Sequence, residues 1–284
     1  MTAPTTPALA ALADRVAGDP ARAAIAGRAS SVLAGPDAVR AVGGAARAGR
    51  AGRTTTLVVC PTGEEAEGLL DDLAAFVPAG DLALVPAWET LPFERVSPAV
   101  HTMGTRTETL WRLGSDTPPA IVVASTRAVL QKLGPGEESL GPIVVAPGAR
   151  IDIDDLCTEL ARVGYRREPL VEHRGEFARR GAIVDVWPST ADEPVRIDTW
   201  GDEVDRLARF DPADQRGTDN VASVHIFPAR ELVLDADATA RAAALVETEP
   251  WGREQWERLA EGQIFDGMES WLPWLVETDR TVMD

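Results

Sequence analysis

The sequence predicts two kinds of layer in succession, a parallel α/β layer and then a largely antiparallel α+β layer. Two observations carry this. Short apolar runs at 54–62 (TTTLVVCPT), 81–87 (DLALVPA) and 120–125 (AIVVAS) alternate with helical segments, the pattern of a buried parallel sheet. After about residue 135 strand-like runs follow one another without helices between them, which points to an antiparallel sheet.

Taken in order, residues 8–17 space Ala, Leu and Val as an amphipathic helix. The first strand run ends in a turn, and EEAEGLLDDLAAFV (64–77) reads as a helix whose first turn is acidic, suiting the helix dipole. TETLWRL (107–113) and TRAVLQKL (126–133) read as helices beside the second and third runs. LGPGEESLGP (133–142) is rich in Gly and Pro and suits a linker. IVVAPG then reads as a strand. IDIDDLCTELARVGY holds a helix with Leu156, Leu160 and Val163 at helical spacing. VEHRGEFARRG, AIVDVWP, PVRIDTWG and EVDRLARFD are the consecutive strand runs, and VASVHIFPARELVL (221–234) closes them. The tail holds Trp251, Trp256, Trp271 and Trp274 and reads as helix around Arg253–Leu259. It stops at TVMD without a clear cap, as a piece of a longer protein would.

The 284 residues suffice for two or three domains, and 45% hydrophobic with 26% charged residues is ordinary for a globular protein. The formal charge of -17 opposes wrapping a nucleic acid with the whole surface. Charge is uneven: residues 150–218 carry 11 basic and 16 acidic groups, and residues 219–284 carry 5 and 14. Cys60 and Cys157, the two cysteines, form neither a disulfide scaffold nor a four-ligand zinc site, and Cys60 in TLVVC reads as a buried inert thiol. The N-terminus lacks the basic start and apolar core of a signal peptide, and no apolar run reaches membrane-spanning length. A reducing cytoplasm is the expected location, with no membrane partner.

Catalytic machinery is absent from the sequence. A phosphate-binding loop needs glycines, a lysine and a Ser or Thr, yet Lys132 is the one lysine and no G-x-x-x-x-G-K-[ST] occurs. AGRASSVLAG (26–35) precedes the first strong strand and has the wrong spacing. His101, His173 and His225 are scattered, and no metalloprotease, nucleophile-elbow or cysteine–histidine signature appears. The expectation is a chain with no cofactor, no metal and no enzymatic activity.

The stretch 175–209 is different, with arginines and tryptophans set in strand-like runs. Alternation puts Val195, Ile197 and Thr199 on one face of PVRIDTWG, and Arg196, Asp198 and Trp200 on the other. A hairpin centred near Ala191 would set Val186 opposite Arg196, Val184 opposite Asp198 and Ala182 opposite Trp200, with Arg180 on the same face. Arg and Trp are enriched at binding hot spots, so Arg180, Arg196 and Trp200 are the candidate partner-binding residues. The plainer alternative stands beside it: Trp200 in a core, and Arg196 paired with Asp198 inside the sheet. On residues alone three functions stay open. They are a docking module, a divergent helicase or ATPase fragment, and direct DNA binding, the last disfavoured by Asp198, Asp202, Glu203 and Asp205.

RGEFARRGAIVDVWPSTADEPVRIDTWGDEVDRLARFD, followed by IFPARE, resembles the second domain of the nucleotide-excision-repair protein UvrB. It is more similar still to the UvrB-like N-terminal module of the bacterial transcription-repair coupling factors (Mfd). VPAWETLPFERVSP (85–98), with Arg106 and Leu110, resembles the first domain of that module. The resemblance covers roughly residues 20–284. It implies a degenerate RecA-like (P-loop NTPase-like) α/β domain over 1–135, with residues 1–20 as a leader helix, and a return segment over 229–284 that completes it. Residues 136–228 would be the inserted, UvrA-binding α+β domain. The missing phosphate loop, and the missing tyrosine-rich hairpin with which UvrB probes DNA, both fit the coupling factors; Tyr165 is the one tyrosine and lies elsewhere. By motif position Arg180, Arg196 and Trp200 match the family's UvrA contacts, although the family residue at Trp200 is often Phe. The resemblance further implies recruitment of UvrA to stalled RNA polymerase, an ATP-dependent DNA translocase motor outside this stretch, and masking of the docking face by the C-terminal domain.

Overall fold

A computed structural model describes residues 9–18, 41, 43, 45, 55–134, 141–276 and 280–284. The glycine-bearing stretch 26–35 and most of the linker at 135–140 lie outside the described residues. By internal contacts the chain divides into two units, one of residues 1–87, 109–131 and 281–284, the other of 88–108 and 132–280. The stretch expected as the return of the parallel layer, 229–284, groups through residue 280 with the second unit.

The first unit holds helix α1 (Ala10–Ala17), strand β1 (Thr56–Cys60), helix α2 (Gly63–Ala74), β2 (Leu82–Val85) and β3 (Ile121–Ser125). These strands form a parallel sheet in the order β1-β3-β2. Every residue of β3 is buried, because alternate side chains enter two cores. Ile121 and Val123 pack with Leu73, Leu82 and Cys60, whereas Val122 and Ala124 pack with Val85, Ala128 and Val129. Thr62 caps α2 by accepting the Glu65 N–H, with Glu64 and Glu65 in the first turn. Helix α4 (Thr126–Leu130) follows β3 with Ser125 as its cap. Helix α3 spans Val100–Leu113, longer than the expected 107–113. The apolar spacing of its first half is poor, but Met103 and Arg106 are buried there, so packing extends it.

The second unit is built on six strands in the order β10-β9-β8-β7-β6-β5: β5 (Arg166–Arg167), β6 (Glu176–Arg180), β7 (Ile183–Val186), β8 (Val195–Trp200), β9 (Glu203–Phe210) and β10 (Gly217–Asn220). The pairs are antiparallel except β5 with β6, which is parallel and departs from expectation. β10 is fully exposed and polar, so no buried face marked it in the sequence. Helix α5 (Ile153–Arg162) covers one face, with Leu156, Leu160 and Val163 packed on Phe177, Val184, Val186, Val195, Ile197 and Leu207. Asp152 caps it by accepting the N–H groups of Asp154 and Asp155. Strands β4 (Ile143–Val145) and β11 (Val224–Ile226) form a separate antiparallel pair on that core.

The tail carries α6 (Ala236–Thr248), α7 (Arg253–Ala260) and a short α8 (Leu272–Leu275). The reading of the sequence missed α6, whose buried contribution is limited to Ala238 and Ala242. Trp256 is fully buried and meets Trp271 edge-on, with ring centroids 4.5 Å apart.

The two motifs most specific to the family resemblance meet in this unit. Glu231 of IFPARE accepts from Trp88 Nε1 at 2.7 Å and from Arg106 Nε at 2.9 Å, with both charged side chains fully buried. Arg230 donates to Glu269 at 2.6 Å and to Ser97 Oγ at 3.0 Å. Ser97 in turn donates to Glu269 at 2.6 Å and accepts the Gly267 N–H at 2.9 Å. These residues are conspicuous because burying charge demands several partners at once.

Candidate functional site

The face of the six-stranded sheet opposite α5 carries the three candidate residues. Two tight hairpins shape it. Arg180 pairs with Ile183 around Gly181 (φ 63°) and Ala182, and Trp200 pairs with Glu203 around Gly201 (φ 65°) and Asp202. Positive φ at the first central residue is the II′ pattern, which keeps the twist of the flanking strands and favours glycine there.

The register between β7 and β8 differs by one residue from the expected one. Val186 faces Val195, Asp185 faces Arg196, Val184 faces Ile197 and Ile183 faces Asp198. The expected pairs Val186/Arg196 and Val184/Asp198 are therefore corrected. The reason is burial: Val184 and Val186 have no exposed surface and belong to the core under α5, so the slipped pairing would have placed both on the open face. Arg180 reaches the face of Arg196 by another route, as the end of β6 rather than a continuation of β7. Its partner Ile183 shares a face with Asp185, Asp198 and Arg196. Strand parity thus puts Arg180, Arg196 and Trp200 on one side of the sheet.

Their environments are unlike. Trp200 is 85% exposed, which removes the core alternative for it. Arg196 is held from three directions. Its Nε donates to Asp185 Oδ1 at 2.7 Å and its Nη2 to Asp185 Oδ2 at 2.9 Å, a forked pair. Its Nη1 donates to the Gln215 carbonyl at 3.2 Å, and its guanidinium lies 4.8 Å from the centroid of the Phe210 ring. Those hydrogen bonds to Asp185 hold the Arg196 pKa above the ordinary guanidinium value. The alternative of an intra-sheet ion pair is thus realised, but with Asp185 rather than Asp198. Arg180 also donates to Asp185 through Nη2, and its side chain is 41% exposed. Arg206 continues the face, donating to Asn220 Oδ1 at 2.8 Å.

Asp185, Phe210 and Gln215 are the residues that reading the sequence missed. Asp185 had a signal: a lone carboxylate inside the apolar run AIVDVW, 1% exposed in the fold. Such a residue must find donors, and arginines were the available ones. Behind the arginines, Val171, Ala178 and Phe210 form a small apolar cluster with Trp187. The arrangement can grip acceptor groups and bury an indole; it contains no nucleophile paired with a base. Among the described residues no group of three or more His, Cys, Asp or Glu side chains could hold a metal ion. Nor, among them, is any helix long and apolar enough to cross a membrane.

Comparisons with known proteins identify relatives of this chain. The family model described as the UvrB interaction domain matches residues 143–232, a span containing β4 to β11. The chain is 39% identical over 235 residues to the transcription-repair-coupling factor of Mycobacterium bovis, covering 76% of this chain and 19% of that protein. It is 36% identical over 237 residues to that of Myxococcus xanthus, covering 78% of this chain and 20% of the relative. With the Escherichia coli protein the identity is 29% over 224 residues, covering 76% and 19%. The chain spans about a fifth of the length of the curated relatives it matches.

Proposed function

We propose that this chain, which belongs to the transcription-repair-coupling factor family and carries a UvrB interaction domain, is a non-catalytic docking module that binds UvrA. The observation that carries the reading is the sheet face that an 85% exposed Trp200 shares with Arg196 and Arg180. An indole left in water on the same face as arginines held in place is the composition of an interface hot spot. The likeness to a UvrB interaction domain supports UvrA as the partner, and the docking step would recruit UvrA to stalled RNA polymerase in transcription-coupled nucleotide excision repair. The parallel sheet of the first unit would be the degenerate RecA-like domain, over 1–135 with a return over 229–284, and 136–228 the inserted domain.

Against nucleotide chemistry, the helix N-terminus after β1 has one N–H group capped by Thr62 and carries Glu64 and Glu65, which would repel a phosphate. RNA polymerase, double-stranded DNA, an ATP-driven motor and masking by a C-terminal domain belong to the whole protein in this reading, acting in the cytoplasm.

The test is binding of purified UvrA to the chain and to Arg196→Ala and Trp200→Ala. Each substitution should cost about 1–4 kcal/mol of binding if it removes a desolvated anchor. Unchanged affinity in a well-folded double variant sinks the reading.

A further inference from the structure

We infer that Asp185 is the positioning residue of the docking face, aiming Arg196 and Arg180 so that their remaining N–H groups meet acceptor oxygens of the partner. This rests on the reading that those arginines contact UvrA.

Asp185 is 1% exposed, so its carboxylate is an internal anchor that a partner cannot reach. It binds Arg196 through both oxygens and shares Oδ2 with Arg180, so one buried charge orients two guanidinium groups. The opposite wall is fixed as well. Gln215 stands at φ 61° and its Nε2 donates to Val171 O at 3.2 Å and Pro212 O at 2.8 Å. That bracing turns the Gln215 carbonyl onto Arg196 Nη1. A guanidinium has five N–H donors. Arg196 spends three of them on Asp185 and Gln215, and the other two have no partner among the described residues. An arginine free to rotate would lose side-chain entropy on binding, whereas a clamped one has already lost it. Asp185 therefore contributes to affinity without touching the partner, as a support that holds its contact residues in place.

The experiment measures UvrA affinity for the chain and for Arg196→Ala, Asp185→Asn and the double variant. Asp185→Asn keeps the shape and removes the charge, and it should weaken binding about tenfold. In the Arg196→Ala background the same change should cost less than about threefold, because its main client is gone. Equal losses in both backgrounds overturn the inference while leaving the docking reading intact. Wild-type affinity for Arg196→Ala overturns the docking reading and this inference with it. A measurement without variants guards against misfolding of Asp185→Asn. In the wild-type chain the Arg196 Nε–H should exchange slowly with water, free and UvrA-bound, by NMR. Fast exchange in either state overturns the clamp.

Discussion

Asp185 and Arg196 stand directly opposite one another on β7 and β8, joined by two hydrogen bonds of 2.7 and 2.9 Å. The pair sits on the face away from the main core, yet the carboxylate is almost wholly excluded from water. Phe210 beneath the guanidinium, the Gln215 carbonyl beside it and Arg180 on the second oxygen complete the enclosure. Such a pair gives weak net stability but strongly prefers one register, since a one-residue slip would leave Asp185 in the core without a donor.

Replacing Trp200 should separate binding from folding. The side chain is 85% exposed, so Trp200→Ala should change stability by no more than about 0.5 kcal/mol. UvrA affinity should fall about tenfold or more. Thermal unfolding and a binding titration on the same preparation check both halves. A large loss of stability would show that the indole packs on the fold.

The register can be tested by charge. Val184 is fully buried among Leu160, Phe177 and Ile197, so Val184→Asp should destabilise the second unit by more than about 4 kcal/mol. In the slipped register Val184 would lie on the open face and the change would be mild. Urea unfolding monitored by circular dichroism distinguishes the two.

Tyr165 should make the fold sensitive to alkali. Burial pushes its phenol up from 10.0 to about 12. Its hydroxyl donates to the Phe227 carbonyl at 2.7 Å and accepts the Ser189 N–H at 2.9 Å. The neutral form is the one the fold favours, so this contribution is complete below pH 10 and lost as pH rises through about 12. Because the chain has 1 tyrosine, tyrosinate absorbance reports this site alone. Ionisation near the ordinary value without unfolding would contradict the burial. Tyr165→Phe should abolish the transition and cost about 1–3 kcal/mol, since Ser189 N–H loses its acceptor.

The buried ion pair between the two distant motifs should be indispensable. Glu231→Ala removes the buried carboxylate that accepts from both Arg106 and Trp88. The expected loss is about 3–5 kcal/mol, read by denaturant unfolding. Stability within about 1 kcal/mol of wild type would show that the fold does not depend on this pair.

What was legible without coordinates followed from local periodicity. The three parallel strands, helix α5 with its Leu156–Leu160–Val163 stripe, and the Arg196–Asp198–Trp200 parity all come from spacings within one element, and each such spacing fixes a face directly. The family motifs that identified the module include Arg106 and Glu231, which the fold buries as a pair. Tertiary structure decided whatever joins two elements. The β7–β8 register depended on which of Val184 and Asp185 the core would accept, and the exposure of Trp200 depended on no described residue covering its end of β8, although Val171 and Phe210 are buried elsewhere on that face. The clamp on Arg196 draws on residues from 185 to 215, so no local pattern could reveal it. Alternation chooses a side chain's face, but only the packed fold chooses its neighbours.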